Sequence, residues 1–201
     1  SFDLLNGGVG MLNAAHVVSS LLLAGEVGAG MVVSSEVNSD RRPDPSFPYA
    51  PSGAALLLDL SPRDETGFGP FVFDTREEHA ALYTAVVSLR EKRGRLSLTR
   101  RAELEDAYLE GAAAAASLAL EQDGLRPGDV DLVVPAQVSP SFLSRLPAAL
   151  GVPREKVLDL TSELPDTLTT SVFLAFERAR TAGRLGPGGR ALFLAVGSGV
   201  T

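Results

Sequence analysis

The sequence predicts an α/β fold, and three observations carry that reading. Short apolar runs alternate with longer helical stretches along the whole chain, the pattern of a mostly parallel, buried sheet whose strands are separated by helices. Two helical stretches, 11–24 (MLNAAHVVSSLLLA) and 111–120 (GAAAAASLAL), are apolar or small nearly all round. A helix on the outside of an α/β sandwich shows a polar face, so these two are expected to be covered on both sides, as helices lying between two sheets would be. Finally, a unit of strand, turn, small-residue helix, glycine-rich link and strand runs through 2–37 and again through 157–197, which points to two similar α/β halves.

Taken in order, the elements begin with a strand at 2–5, a glycine-rich turn and the helix at 11–24, followed by a strand at 31–34. Residues 38–51 contain four prolines and read as a loop, as do 61–70, with a strand at 54–60 between them. Helices are expected at 77–90 and 102–122, a strand at 130–134, a helix at 139–150 and a strand at 157–160. Pro165 and Asp166 open a last helix over 168–182, Gly183 closes it, and a strand follows at 191–196. The expected division is 1–70, the end of a first half, and 71–201, a second half.

Composition narrows the function. A chain of 201 residues, 45% of them hydrophobic, can build a good-sized core. Its net charge of −7 is opposite to the basic face that polyanions require, so no nucleic-acid partner is expected. No unbroken run of eighteen apolar residues suggests a membrane span, and no basic segment with a cleavage site suggests secretion. Without cysteine there is neither a disulfide framework nor a thiolate metal site. Two histidines remain as imidazole candidates: His16, inside the first apolar helix, reads as a core residue, and His79 as a helix-surface residue. Asp59, Asp64 and Glu65 read as a solvated cluster around a loop rather than a metal site. A cytoplasmic protein with no cofactor and no metal is the expectation.

Four segments, in order, resemble β-ketoacyl-acyl-carrier-protein synthase III. Asn6-Gly7-Gly8-Val9-Gly10-Met11 resembles its nucleophile turn, where a small residue, Cys, any residue, Gly and a bulky apolar residue follow a strand. Val134-Pro135-Ala136-Gln137, with Leu143 and Leu150-Gly151-Val152, is similar to its Val-Pro-His-Gln segment and the next helix. Leu164-Pro165-Asp166-Thr167 is similar to its Gly-Asn-Thr segment, and Gly183-Arg184-Leu185-Gly186-Pro187-Gly188 with ALFLAVGSGVT to its closing segments. The resemblance implies an α/β thiolase fold, αβαβα layers from two similar halves, with the first half incomplete in this chain. In that family a cysteine takes an acyl group from coenzyme A or a carrier protein, and His and Asn hold the malonyl carbonyl during decarboxylation.

That chemistry needs a thiolate favoured by a helix N-terminus and two neutral donors aimed at an enolate oxygen. Here the cysteine position falls on Gly8, the histidine position on Ala136 and the asparagine position on Asp166. The first has no nucleophile, the second no donor, and the third carries a charge that repels an enolate. Gly7, Gly8 and Gly10 also suit a tight strand-to-helix turn without chemistry, and Asp166 suits a helix cap. A phosphate-binding glycine motif fails at Asn13, where its last glycine is required.

Two functional classes follow. In the first, the chain is a non-catalytic subunit that forms a heterodimer or larger assembly with a catalytic, cysteine-bearing ketosynthase III-like chain in fatty-acid, polyketide or related biosynthesis. In the second, it is an acyltransferase or other acyl-thioester enzyme with an altered site, with Ser139 and Ser141 as candidate nucleophiles. Against the acidic background, Arg90, Lys92, Arg93, Arg95, Arg100 and Arg101 form a basic run interrupted only by Glu91 among charged neighbours. It is either a solvated surface or a docking face for an acidic acyl carrier protein or another subunit; acyl-coenzyme A is the other expected partner. The apolar strands at 2–5 and 31–33 are expected to need another polypeptide to cover their edges.

Overall fold

The computed structural model describes residues 1–37, 49–63, 66–90 and 93–197, with the side chains of 87–90 and 93–97 outside that description. A short 3-10 turn at Gly7–Val9 leads into α1 (Gly10–Leu23). Gly7 adopts φ 46°, a left-handed conformation that glycine takes without steric cost. Met11, Ala15 and Leu22 are the buried apolar residues of α1, which packs against the antiparallel pair β1 (Ala29–Glu36) and β2 (Ser52–Asp59). Contact is close: a Cβ at Gly30 would collide with Cγ1 of Val18.

Alternation along this hairpin separates two faces. Val32, Leu56 and Leu58 join Met11, Ala15 and Phe173 in one apolar cluster. On the opposite face Met31, Val33 and Leu57 are 65%, 63% and 73% exposed, with Met31 directly opposite Leu57 in the register. The period-2 pattern is apolar on both sides, the signature of a strand pair meant to be covered twice.

A second antiparallel pair, β3 (Tyr83–Arg90) and β4 (Arg93–Arg100), corrects the expected helix at 77–90. Only Glu77–Leu82 is helical, as a 3-10 segment. The Tyr-Thr-Ala-Val-Val run that follows is rich in residues that favour strands, and it finds a partner across the basic turn.

The larger core is built by α2 (Leu104–Gln122), β5 (Leu132–Pro135), α3 (Pro140–Leu150), α4 (Ser171–Thr181) and β6 (Ala191–Leu194). Strand β5 is buried at every position and pairs in parallel with β6, from Leu132↔Ala191 to Pro135↔Leu194. Phe142, Leu143 and Leu146 of α3, which packs against α2, are fully buried in the same core, each contributing about 1.5–3 kcal/mol of hydrophobic stabilisation. Helix α3 has strong ends: Ser139 caps it by accepting from the Phe142 amide (3.0 Å), Pro140 occupies the first turn, and Gly151 ends it at φ 66°. Gly183 closes α4 at φ 67° in the same way.

The expected strands at 2–5 and 157–160 do not form. Residues 2–5 have no described neighbour to pair with and lie exposed, and Val157 makes a single parallel bridge to Val133. The sheet is therefore less parallel than expected: among the described residues β5–β6 is the one parallel strand pair. The apolar helices also keep uncovered positions, with Leu23 of α1 80% and Leu118 of α2 46% exposed. The loop expected at 38–51 lies outside the described residues up to 48, as do Asp64, Glu65 and the segment after 197. No helix of the described residues is long and apolar enough to cross a membrane.

Candidate functional site

A cavity of about 470 Å³ lies where the turn before α1, the end of β5, the entry to α4 and the base of the β3–β4 hairpin meet. Gly8, Ala136 and Asp166 all line it, so three positions far apart in sequence converge on one space. Gly8 is buried, and a Cβ placed on it would overlap the carbonyl oxygen of Val196. Ala136 is buried, with its amide donating to the Leu194 carbonyl (2.7 Å). Its methyl group offers the cavity no donor.

Asp166 is held from both sides. Its Oδ1 accepts from the Leu168 amide (2.8 Å), and its backbone carbonyl accepts from Ala50 (2.9 Å). That first bond closes a local turn before the 3-10 segment Leu168–Thr170; the N-caps there and at α4 are Thr167 and Thr170, so Asp166 is not the helix cap expected. Leu168 itself sits at φ 48°, uncommon for a branched residue, and lines the cavity. Burial pushes the Asp166 carboxyl up to about 6, with the Leu168 amide and Arg100 opposing the shift.

The cavity's main polar feature is a cluster that sequence reading missed. Arg100 stacks over the rings of Tyr49 (5.1 Å) and Tyr83 (5.8 Å), and its Nη2 donates to the Tyr49 hydroxyl (2.7 Å). The two tyrosine hydroxyls are 2.9 Å apart, and Asp166 Oδ2 stands 3.8 Å from Arg100 Nη2. Burial pushes the hydroxyl of Tyr49 upward and that of neighbouring Tyr108 up to about 12, so both are protonated at neutral pH.

This geometry corrects the idea of one basic face. Arg100 turns into the cavity, and Arg101 is exposed at its rim. Arg90 lies opposite Arg93 at the far end of the hairpin, seven residues along β4 from Arg100, about 23 Å at a strand's rise. Lys92 and the side chains of Arg90, Arg93 and Arg95 lie outside the described residues.

The remaining candidates separate. Ser139 lines the cavity and donates to Glu105 Oε1 (2.5 Å), while Ser141 is exposed at the start of α3. His16 is only partly buried, its ring against Phe71 (5.0 Å) and Phe73 (5.5 Å), so it is not the enclosed core histidine expected. His79 is likewise partly buried, on the 3-10 segment. Neither histidine lines the cavity. Among the described residues no cluster of acidic or imidazole groups is arranged to hold a metal.

Comparison with known proteins places relatives beside this fold. Residues 120–201 match the family "3-Oxoacyl-[acyl-carrier-protein (ACP)] synthase III C terminal". The β-ketoacyl-acyl-carrier-protein synthase III of Anaplasma marginale is 25% identical across the whole chain, which covers 65% of that protein. A synthase III of Streptomyces coelicolor is 37% identical over 82 residues, 41% of this chain and 24% of that protein. The crystal structure of the Thermus thermophilus synthase III superposes with a TM-score of 0.83 at 26% identity, covering 99% of this chain and 64% of that one. The chain resembles β-ketoacyl-acyl-carrier-protein synthase III and has the thiolase fold.

It spans about two thirds of the length of these full-length relatives. The priming β-ketosynthase of the R1128 polyketide pathway has the same architecture, at a TM-score of 0.86 and 25% identity. Within this synthase III-like chain, Gln137 is a second residue whose role sequence reading did not find. It is 1% exposed, donates Nε2 to the carbonyls of Pro135 (2.8 Å) and Leu158 (3.3 Å), and accepts the Leu160 amide at Oε1 (2.7 Å). It thereby supplies the hydrogen bonds that an additional strand would have made. An amide buried beside a strand that lacks its expected neighbour was the available signal.

Proposed function

We propose that the chain is a cytoplasmic, non-catalytic ketoacyl synthase III-like subunit of an acyl-condensing complex in fatty-acid, polyketide or related biosynthesis, paired with a cysteine-bearing ketosynthase III-like chain. The observation that carries this reading is the cavity wall. Gly8 has no side chain and no room for one, Ala136 offers only a methyl group, and Asp166 is a carboxyl group. Condensation needs a nucleophile and donors for an enolate oxygen, and removing one such donor typically costs about 10²–10³ in rate.

The exposed Met31, Val33 and Leu57 face supports a covering polypeptide. Such an interface belongs to the large, apolar, obligate class, above roughly 2,000 Å² in total. Arg90, Lys92, Arg93 and Arg95 are the proposed contact for an acidic carrier protein.

A second reading, acyl transfer through Ser139, is favoured by its hydrogen bond to Glu105. Against it, the same oxygen already caps α3. Mass spectrometry after incubation with acyl-coenzyme A separates the two: the expected result is no mass gain, and an adduct on Ser139 would favour the second. Co-expression with a cysteine-bearing ketosynthase III-like chain should give a defined complex, whereas a well-behaved lone monomer with a sharp thermal transition would refute the subunit reading.

A further inference from the structure

The non-catalytic reading leaves unexplained why the cavity contains a cation. Arg100 places its guanidinium among Tyr49, Tyr83 and Asp166 at the wall of a space that is apolar on one side and carries Glu36, Arg101, Glu105 and Ser139 elsewhere. A guanidinium carries five N–H donors in a planar fork. Its described hydrogen bond uses one of them, on the Tyr49 hydroxyl. Asp166 Oδ2, at 3.8 Å, is close enough to attract but too far for a hydrogen bond.

The other acids on the wall, Glu36 and Glu105, make no ion pair with Arg100 among the described residues. Glu36 accepts from the Thr169 hydroxyl (2.5 Å) and Glu105 from the Ser139 hydroxyl (2.5 Å). Asp166, although burial raises its carboxyl to about 6, is ionised at pH 7.5, but it stands beyond hydrogen-bond distance and leaves the guanidinium's donors unused. The remaining wall includes Leu98, Leu104, Tyr108 and Val138, and the volume is in the usual range for a small-molecule site. A planar fork with spare donors, set beside an apolar space, matches one ligand chemistry closely: a carboxylate with a hydrocarbon body.

We propose that this cavity holds, without a covalent bond, an amphipathic monocarboxylate, its head on Arg100 and the adjacent Tyr83 hydroxyl, its body along Leu98, Leu104, Tyr108 and Val138. The proposal rests on the reading that no acyl bond forms at Gly8. A thioester carbonyl would find no donor at Ala136, whereas a free carboxylate finds its donors at Arg100. The site then binds a free acid, the precursor of acyl activation or the product of thioester hydrolysis, rather than an activated acyl group.

The test is calorimetric titration of the purified protein, alone or in its complex, at pH 7.5 with octanoate, methyl octanoate and octylammonium. Octanoate should bind at least about tenfold more tightly than its methyl ester, the scale of a hydrogen bond to a charged group. Arg100→Gln should remove that preference while leaving ester binding unchanged. Asp166→Asn, which deletes the nearby negative charge and retains an acceptor for Leu168, should tighten octanoate binding severalfold. This variant keeps the proposal testable if Arg100→Gln fails to fold.

Equal binding of acid and ester would overturn the proposal, as would preference for octylammonium or retained octanoate preference in a folded Arg100→Gln protein. An Asp166→Asn protein with unchanged octanoate affinity would also overturn it. Mass spectrometry on the same samples with octanoyl-coenzyme A keeps the two ideas apart. A covalent adduct refutes the non-catalytic reading, while absence of both adduct and octanoate binding refutes the carboxylate site alone.

Discussion

The carbonyl oxygen of Val196 stands where a Cβ on Gly8 would have to be. The missing nucleophile is therefore a property of two segments, the turn before α1 and the strand end over it. Gly8→Ala should lower stability by about 1–3 kcal/mol, the usual penalty for forcing atoms into a packed interior. Gly8→Cys should be destabilised at least as much and should show no condensation, because Ala136 and Asp166 still supply no neutral donor. Chemical denaturation and a malonyl-dependent condensation assay read these outcomes. A fully stable Gly8→Ala protein would show that the 196–197 segment yields freely.

Asp166 makes stability depend on pH in a defined direction. Its folded value of about 6 lies above the ordinary 3.8, so the folded state holds the proton more tightly than the unfolded one. Stability contributed by this group is complete below about pH 4 and falls as pH rises toward 6, by about 3 kcal/mol at most. Asp166→Asn should flatten that part of the stability profile and be more stable than the parent at pH 7. Parallel profiles for parent and variant would contradict the assignment.

Gln137 is predicted to be a structural keystone without a chemical role. Gln137→Leu removes the acceptor for the Leu160 amide and the donor for two carbonyls, stranding buried groups at about 1–3 kcal/mol each. Denaturant midpoints should fall accordingly, with amide exchange accelerating first around 158–160. Protection there equal to that of the parent would mean that the segment is held by other contacts.

Gly30 and Val18 should behave as a coupled pair. Gly30→Ala drives a methyl group into Val18 Cγ1, and a β-branched side chain has few rotamers into which it can escape. The single substitution should cost about 1–3 kcal/mol, and adding Val18→Ala should recover part of it, a coupling that a double-mutant cycle measures directly. Additive effects would show that α1 shifts as a body instead.

Much of this structure was legible where the chain carries its own local instructions. Gly183, at the end of the last helix, acts within a few residues and sits as read; Ser139, Pro140 and Gly151 work in the same local way at the ends of α3. The four motifs also brought Gly8, Ala136 and Asp166 to one cavity. What was not legible depended on distant partners. Tyr83 begins a strand because Arg100 lies opposite it, across a turn in which charge obscured the pairing. Residues 2–5 have strand composition, but a strand exists only with a neighbour. Tyr49 follows a proline-rich stretch and Arg100 closes a basic run, so neither position indicates that the two side chains touch.

Phe193 belongs to both apolar clusters, packing against the larger core and against the group around Met11 and Phe173. Its ring lies 5.0 Å from Phe176, 5.8 Å from Phe68 and 5.9 Å from Phe173. This aromatic side chain thus links the two interiors alongside α4, whose Phe173 lies in one cluster and Val172 and Ala175 in the other. Loosening the β1–β2 hairpin therefore exposes part of the main core, and shortening the Phe193 side chain is expected to weaken the coupling between the two regions.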